Sequence, residues 1–228
     1  MKILITGASR GIGLLLAQKM NKEGHQVYAT YNRTNPSDIS GLNWTKVDIT
    51  NHQEVVEWVS KSVTANDEIV LINCAGSNYN AVAHKADISK WRKLIEINLA
   101  GTFSAINAVL PFMREKGWGR IINFSSIVAQ KGIAGTSAYA ASKAGMWGMT
   151  KAIAAENAKK GVTINNLNLG YFNIGMITDV PDEILAGIVK TIPVQSLGNP
   201  DNIVKAVEFL IKSDYTTASS IDINGGLY

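Results

Sequence analysis

The sequence is poor in cysteine and histidine and carries little net charge. Its 228 residues include one cysteine, Cys74, which excludes an internal disulfide framework and a cysteine-rich zinc site. The three histidines share no ligand spacing, so we expect no metal site. Lysine and arginine number 22 against 18 acidic residues, and this net charge of +4 is too mild and too scattered to indicate a nucleic-acid-binding protein. The hydrophobic share of 46% excludes a disordered chain.

Long hydrophobic runs are also missing. No stretch approaches 18 uninterrupted apolar residues, so the sequence indicates no transmembrane helix. The apolar run at residues 3–5 is followed by Thr6 and Gly7, and it is far too short for the apolar region of a secretory signal. We therefore expect a cytoplasmic protein that does not contact a membrane.

Strand and helix patterns alternate along the whole chain. This alternation is typical of parallel strands joined by crossover helices. We predict one domain over residues 1–228, of α/β class, with a doubly wound Rossmann-type parallel sheet of about seven strands and helices on both faces. Apolar runs predict strands over 2–6, 26–31, 44–47, 68–74, 120–124 and 162–167, and helical spacing predicts helices over 11–23, 53–63, 91–113 and 138–160.

The segment over residues 170–196 interrupts this alternation. Gly175, Pro181, Gly187 and Pro193 punctuate it, and a long irregular segment in such a fold is usually a functional loop or lid. We expect it to lie near the carboxyl ends of the strands, where open α/β sheets bind their ligands. The sequence therefore predicts a substrate loop here.

A glycine-rich turn follows the first predicted strand and opens the first helix. Gly7, Gly11 and Gly13 have the spacing G-x-x-x-G-x-G, which differs from the G-x-G-x-x-G of the dinucleotide fingerprint. Glycines let the backbone approach a pyrophosphate, and the helix N-terminus supplies N–H groups and a favourable dipole. The alternative interpretation is an ordinary turn between a strand and a helix.

Five motifs in order resemble the short-chain dehydrogenase/reductase family in its small single-domain form. They are T-G-A-S-R-G-I-G at 6–13, N-C-A-G at 73–76, Asn98 within a predicted helix, the serine pair at 125–126, and Y-A-A-S-K at 139–143. The resemblance spans essentially the whole chain. It implies an oxidoreductase that moves a hydride between a nicotinamide cofactor and a carbonyl or carbinol carbon.

The resemblance also implies a catalytic tetrad of Asn98, Ser126, Tyr139 and Lys143. Tyr139 would exchange a proton with the substrate oxygen, and Ser126, 13 residues earlier, would hydrogen-bond that oxygen. Lys143 would hold the nicotinamide ribose, and its ammonium, together with an oxidised nicotinamide, should lower the pKa of Tyr139. Asn98 would disrupt its helix and hold a water that links the lysine to solvent. Taken singly, these residues could be a surface pair, a strand-end cap and a surface-facing asparagine.

We expect NADP(H) as the cofactor. An NAD-preferring enzyme of this type usually has an acidic residue at the end of the second strand, where this chain has Tyr31 followed by Asn32 and Arg33. Arg10 and Arg33 could bracket a 2′-phosphate, although both could simply be solvated surface arginines. The predicted cofactor contacts are Gly7, Ser9, Arg10, Gly11, Ile12, Gly13, Asn32, Arg33, Asp48, Ile49, Asn73, Ala75, Gly76, Tyr139, Lys143 and Gly170.

The chain departs from the family pattern after the sixth predicted strand. Leu169 replaces the usual proline before Gly170, and Ile174 stands near the place of the usual threonine. Gly170 still permits close backbone approach to the nicotinamide. The loss of a threonine hydroxyl would remove one contact to the cofactor, so we expect the change to affect cofactor affinity more than reaction type.

The carboxyl-terminal segments resemble the 3-oxoacyl thioester reductases of the family. The similarity lies in T-I-P-V at 191–194, L-G at 197–198, G-Y at 170–171 and N-G-G-L at 224–227. It implies reduction of a 3-oxoacyl group carried by coenzyme A or acyl carrier protein to the 3-hydroxyacyl product. Open alternatives are another ketone or alcohol, polyketide-like or sugar-derived, and a non-catalytic dinucleotide sensor. The resemblance also implies a homodimer or homotetramer that pairs the helices carrying Asn98 and Tyr139.

Overall fold

One parallel sheet, in the order β3-β2-β1-β4-β5-β6-β7, organises the computed structural model, which describes residues 1–34, 36 and 41–227. The chain starts in the middle of the sheet, builds outward to β3, and then crosses back to continue from β4. This reversal leaves a crevice at the carboxyl ends of β1 and β4, where such sheets bind ligands. The strands are β1 Lys2–Thr6, β2 Gln26–Tyr31, β3 Asn43–Lys46, β4 Ile69–Asn73, β5 Gly119–Ser126, β6 Val162–Leu169 and β7 Ser220–Ile223.

Helices cover both faces of the sheet, as the doubly wound prediction requires. One face packs on α1 and α7, and the other packs on α2, α4 and α5, each through its own cluster of buried apolar side chains. The predicted fold class is confirmed. The helices are α1 Gly11–Lys22, α2 His52–Ser62, α3 Ile88–Ile95, α4 Gly101–Lys116, α5 Ser137–Asn157, α6 Asp182–Thr191 and α7 Asp201–Lys212.

Buried polar side chains cross the sheet on the face covered by α5. Asn73 donates to Asn123 at 2.9 Å, Asn123 donates to Asn166 at 3.3 Å, and Asn166 donates to Ser220 at 3.0 Å. The residues of each pair lie directly opposite one another on adjacent strands. Thr6 extends the row to β1 through a bond of 3.5 Å to Asn73. We call these five residues, Thr6, Asn73, Asn123, Asn166 and Ser220, the amide ladder.

The helix predicted over 91–113 is longer than expected and is interrupted. It begins at Ile88, widens into a π-helical turn at Glu96–Ala100, and continues to Lys116, where Gly117 ends it in a left-handed conformation. Asp87 caps its first turn by accepting from the backbone N–H groups of two following residues. The interruption falls on Asn98, where the resemblance implies a local disruption.

Among the residues that the structure describes, this interrupted helix is the only one that is long and apolar enough to cross a membrane. The best window within Ile88–Lys116 has a mean hydropathy of 1.3, reached without an uninterrupted apolar stretch. Core helices of water-soluble proteins meet the same criterion. Its buried residues Leu94, Ile106, Val109 and Met113 pack against neighbouring helices and the sheet, which is how a core helix is placed.

The segment over 170–196 is more regular than predicted. It contains a short 3-10 turn at Gly175–Asp179 and the helix α6, although none of the α6 residues is buried. Gly187 obscured this helix in the sequence, because an interior glycine weakens a helical pattern. The sequence also left α7 and β7 unplaced, and part of the loop predicted over 32–43 lies outside the described residues.

We expect the amide ladder to contribute substantially to stability. Replacing Asn123 with leucine leaves the buried amide N–H of Asn73 without its acceptor, so the free energy of unfolding should fall by about 2 kcal/mol. Urea unfolding measures this change. The exposed variant Asn202→Leu is the control and should stay within about 0.5 kcal/mol of the native protein. An equally small effect at Asn123 would contradict the role of the ladder.

Candidate active site

The glycine-rich turn is pressed against the end of β4. Gly7 has a φ of +65°, and a Cβ there would lie 2.5 Å from the backbone of Ala75, so no side chain fits. A Cβ at Gly13 would lie 2.5 Å from the carbonyl oxygen of Gly7. Thr6 joins the two strand ends, because its hydroxyl accepts from the N–H of Ala75 at 3.2 Å. The turn therefore lies in the crevice between β1 and β4, and its backbone is open to close approach by a ligand.

The end of β2 holds the same turn from the other side. The N–H of Gly7 donates to the Thr30 hydroxyl at 3.1 Å, and the N–H of Ala8 donates to the Thr30 carbonyl at 2.8 Å. These bonds bring the segment leading to Arg10 beside the segment leading to Arg33. Both arginines are exposed. The structure thus places two guanidinium-bearing residues at one edge of the crevice.

Asp48 lies in the loop after β3, beside that edge. Its carboxylate accepts from the backbone N–H and the hydroxyl of Thr50 at 2.9 and 2.8 Å, and these bonds are the chief reason that the pKa of Asp48 is lowered. The charges of Lys93 and, to a smaller extent, Arg33 add to the lowering of that pKa. Asp48 is therefore a fixed acceptor, and the neighbouring Ile49 is buried.

Tyr139 and Lys143 lie one turn apart on the same face of α5. Lys143 is 6% exposed, and its Nζ donates to the carbonyl oxygen of Phe124 in β5 at 2.7 Å. The same Nζ lies 5.5 Å from the centre of the Tyr139 ring. Tyr139 itself is half-buried and reaches solvent. This spacing puts the phenol at the mouth of the crevice and the ammonium beneath it.

Burial governs the protonation of both groups. It raises the pKa of Tyr139 above its ordinary value, and a side-chain hydrogen bond with Ser126 offsets only part of that increase. It lowers the pKa of Lys143 to about 8. The lowered pKa predicted for Tyr139 depends on a bound oxidised nicotinamide and stays a prediction; within the protein alone, desolvation is the largest effect on the phenol and raises its pKa. Burial also raises the pKa of the Cys74 thiol, which therefore stays protonated at neutral pH.

The two serines at the end of β5 face different partners. Ser126 is half-buried, accepts from the N–H of Val128 at 3.4 Å, and interacts with the phenol of Tyr139 closely enough to lower the pKa of that phenol. Ser125 is buried and donates to the backbone carbonyl of Lys143 at 3.1 Å. The structure thus brings Ser126, Tyr139 and Lys143 together, and Ser125 is turned away from the crevice into the packing between β5 and α5.

Asn98 joins three elements from inside the π-helical turn. It is fully buried, so it is not the surface-facing residue of the alternative interpretation. Its side chain accepts from the N–H of Ser77 at 2.8 Å and donates to the Ser77 carbonyl at 3.0 Å and to the Ser142 hydroxyl at 3.2 Å. The Thr102 hydroxyl donates to its main-chain carbonyl at 2.7 Å. Asn98 therefore fixes the loop after β4 against α5.

The departures from the family pattern are packed into the fold. Leu169 is buried at the end of β6, and Ile174 packs on the same apolar cluster beside α1 and α7. The N–H of Gly170 donates to the carbonyl of Ile223 at 3.0 Å, so it is held by β7. Gly175 approaches the glycine-rich turn, with its Cα 3.3 Å from the position of a Cβ on Gly11. The segment over 170–196 therefore borders the crevice.

The structure brings Ser126, Tyr139 and Lys143 together and packs the glycine-rich turn against the end of β4, but the predicted cofactor contact Asn73 does not point into the crevice. Its side chain is buried in the amide ladder. The residues that hold the site in place were not predicted as site residues. They are Thr6, Thr30, Ser77, Ser125, Ser142 and the carbonyl of Phe124. A polar residue at every second position of an otherwise apolar strand, as in I-N-F-S at 122–125, was the available signal.

The crevice fits a dinucleotide. The side chain of Arg10 forms no cap at the N-terminus of α1, and the first turn contains no acidic residue, so the helix N–H groups face outward without a competing negative charge. The absence of side chains at Gly7 and Gly13 leaves the backbone open to a pyrophosphate. Within the described residues, no cluster of three or more histidine, cysteine or acidic side chains is placed to hold a metal ion.

Comparisons with known proteins agree with this geometry. Residues 1–184 match the family model for short chain dehydrogenases. An acetoacetyl-CoA reductase of Rhizobium meliloti is 36% identical over 99% of this chain and 97% of its own length. A 3-oxoacyl-acyl-carrier-protein reductase of Vibrio cholerae is also 36% identical, over 99% of this chain and 96% of its own.

A solved structure extends the comparison to the fold. The crystal structure of a candidate gluconate dehydrogenase from Agrobacterium tumefaciens superimposes with a TM-score of 0.90 at 25% identity, and the match covers 99% of this chain and 95% of that one. The sequence matches and the shared fold lead to the same assignment. The chain belongs to the short-chain dehydrogenase/reductase family, oxidoreductases that act on CH–OH groups with a nicotinamide dinucleotide.

Proposed function

We propose that this protein reduces a 3-oxoacyl thioester to the 3-hydroxyacyl thioester with NADPH. The observation that carries the proposal is the placement of Ser126, Tyr139 and Lys143 around one crevice, in a chain whose full-length relatives include acetoacetyl-CoA reductases and a 3-oxoacyl-acyl-carrier-protein reductase. The thioester carrier is coenzyme A or acyl carrier protein, and the reaction takes place in the cytoplasm.

Tyr139 acts as the general acid in reduction. The bound cofactor supplies the hydride that the carbonyl carbon receives. As the carbonyl double bond opens, the oxygen takes the phenolic proton of Tyr139, and Ser126 donates a hydrogen bond to the same oxygen. The phenol of Tyr139, whose pKa is raised by burial, is protonated at neutral pH, which is the form that proton donation to the substrate requires. The products are the secondary alcohol and the oxidised cofactor.

Lys143 and Asn98 assist the proton transfer from Tyr139. Lys143, with its pKa lowered to about 8, is still mostly protonated at pH 7 and can stabilise the phenolate left after proton transfer. By the family resemblance it also holds the nicotinamide ribose. Asn98 holds the loop after β4 and contacts Ser142, the residue before Lys143. Its role is to fix the surroundings of the lysine and the water that returns a proton to it.

Arg10 and Arg33 support the preference for NADPH. Both guanidinium groups are exposed at the edge of the crevice next to β2, and no carboxylate occupies the end of that strand. Guanidinium binds phosphate through paired hydrogen bonds, so these residues suit a 2′-phosphate on the adenosine ribose. The remaining predicted cofactor contacts follow from the family: Ser9, Gly11, Ile12, Asn32, Ile49, Ala75, Gly76 and Gly170 border the same crevice.

A sugar-derived substrate is the second candidate. It is favoured by the likeness to the candidate gluconate dehydrogenase, which covers nearly all of both chains. The lower identity of that protein, 25% against 36% for the reductases named above, ranks it second. A dinucleotide-binding sensor without activity is the third interpretation, and it gives no reason for Ser126, Tyr139 and Lys143 to stand together.

The first experiment is to follow NADPH oxidation with acetoacetyl-CoA as the substrate and NADH in parallel. We expect turnover with kcat/KM for NADPH at least tenfold above that for NADH, because only NADPH engages both arginines. The variant Arg33→Ala should reduce that preference and leave kcat with NADPH close to native. Confirmed NADPH binding without thioester turnover would contradict the substrate, and turnover of gluconate or a related polyol would then support the second candidate.

Replacing Tyr139 with phenylalanine should abolish turnover and leave cofactor binding intact. Loss of a general acid costs roughly 10²- to 10⁴-fold in rate, and the phenyl ring keeps the packing. Steady-state kinetics and NADPH titration measure the two effects. Tyr28→Phe, which removes a hydroxyl from a half-buried tyrosine in β2, is the matched control and should keep native kcat. More than about a tenth of native activity in Tyr139→Phe would overturn the assigned role.

We also propose that the chain assembles as a homodimer or homotetramer through α4 and α5. Phe103 on α4 is 48% exposed, and Ala144, Gly148, Ala152 and Ala155 give α5 an exposed stripe of small residues that permits close helix approach. Light scattering of the full chain should give a mass of two or four chains, and Phe103→Asp should lower it. A monomer at micromolar concentration would contradict this assembly.

A further inference from the structure

A chain of hydrogen-bonded side chains runs from α5 to the surface at β7. Trp147 on α5 donates its indole N–H to Ser125 at 3.1 Å and to Asn168 at 3.0 Å. Asn168 donates to Asp222 at 2.8 Å, and Gln130 donates to both oxygens of Asp222 at 3.1 Å. We call these five residues, Ser125, Trp147, Asn168, Asp222 and Gln130, the indole chain.

Donors and acceptors in the indole chain fit together in a single orientation. The Asp222 carboxylate only accepts, so Asn168 must turn its NH2 group toward β7 and its carbonyl oxygen toward α5. The indole N–H of Trp147 only donates, and it meets that oxygen. Ser125 accepts a hydrogen bond from Trp147, and its own hydroxyl donates one to the backbone carbonyl of Lys143 at 3.1 Å. The exposed carboxylate therefore determines the orientation of a buried amide.

The indole chain and the backbone of residues 125–130 together form a closed ring that contains Ser126. Ser125 precedes Ser126, and Gln130 follows the short turn at Ile127–Ala129. Both flanking residues are therefore tied, one to α5 and the other to β7. On α5, Trp147 lies four residues after Lys143 and eight after Tyr139, so the three share a helix face. The ring thus joins the Ser126 turn to the helix that carries Tyr139 and Lys143.

We propose that Trp147 is a positioning residue, and that the indole chain sets the distance between Ser126 and the Tyr139–Lys143 pair. The inference rests on the proposed reductase function. Ser126 and Tyr139 must meet one substrate oxygen, and they lie on different elements. A displacement of well under 1 Å between β5 and α5 would spoil that geometry, because proton transfer requires hydrogen-bond distance. The indole chain ties these two elements next to the reacting groups.

The first test replaces Trp147 with phenylalanine, which keeps an aromatic ring and removes the N–H. We expect kcat with acetoacetyl-CoA and NADPH to fall at least tenfold, with both KM values within about threefold of native. The control is Trp58→Phe, because the indole N–H of Trp58 is buried without a hydrogen-bond partner among the described residues. That variant should lower the melting temperature and keep kcat within twofold. A folded Trp147→Phe protein with kcat within twofold of native would overturn the proposal.

A second test uses Asp222, which is exposed and should tolerate substitution without loss of fold. Asp222→Ala frees the Asn168 amide to rotate, and we expect kcat to fall about fivefold with an unchanged melting temperature. Asp222→Asn keeps one acceptor oxygen and should recover part of that loss. A purely structural role would not produce this order of kcat values. Native kcat in Asp222→Ala would remove Asp222 and Gln130 from the proposal.

Hydrogen exchange separates this proposal from the proposed function. Amides of residues 126–130 should exchange at least tenfold faster in Trp147→Phe and Asp222→Ala than in the native protein, and they should be unchanged in Trp58→Phe. This readout needs no substrate. A native protein that fails to reduce acetoacetyl-CoA would contradict the function, and unchanged exchange in both variants of the indole chain would contradict the positioning role.

Discussion

The amide ladder is the constraint on which the rest of the structure depends. Buried amides must be paired, because leaving one unpaired costs about 1–3 kcal/mol, roughly twice what a paired one contributes. Asn73, Asn123 and Asn166 pair across β4, β5 and β6 only when these strands keep their observed register. A shift of one residue would move every amide to the opposite, apolar face. The ladder therefore aligns the carboxyl ends of the strands, and the crevice forms at those ends.

On the side that faces α5, the side chains of β5 and β6 become more polar toward the carboxyl ends of these strands. On the face toward α5, Ile121 and Ile164 belong to the apolar core, the next inward positions are ladder amides, and the following ones are Ser125 and Asn168. On the opposite face, Ile122 and Phe124 of β5 and Leu167 and Leu169 of β6 are apolar toward the carboxyl ends of the strands. Because α5 crosses this gradient, Lys143, Trp147 and Thr150 meet hydrogen-bonding partners on the sheet, while Ile153 and Ala154 pack on apolar side chains. Tyr139 and Lys143 stand where polar partners are available.

Local patterns predicted much of this arrangement, and long-range pairings supplied the rest. Apolar runs and glycine positions were enough for the doubly wound sheet and for the turn at Gly7, because both follow from short stretches of chain. The bonds of Asn98 to Ser77 and Ser142, and of Asn168 to Asp222, join residues 21 to 54 positions apart. A periodic pattern along the sequence does not indicate contacts between residues so far apart. Helix α6 was missed for a different reason, because the interior Gly187 weakens its helical pattern.

The pKa values of the site depend on this packing. The same burial that lets Lys143 reach the carbonyl of Phe124 removes water from Tyr139, so the pKa of the lysine falls and the pKa of the tyrosine rises. The phenol is therefore protonated at pH 7. Ser126 opposes the rise, so the position of Ser126 adjusts the acidity of the phenol. Packing between β5 and α5 thus controls both the spacing of Ser126, Tyr139 and Lys143 and the proton affinity of the phenol.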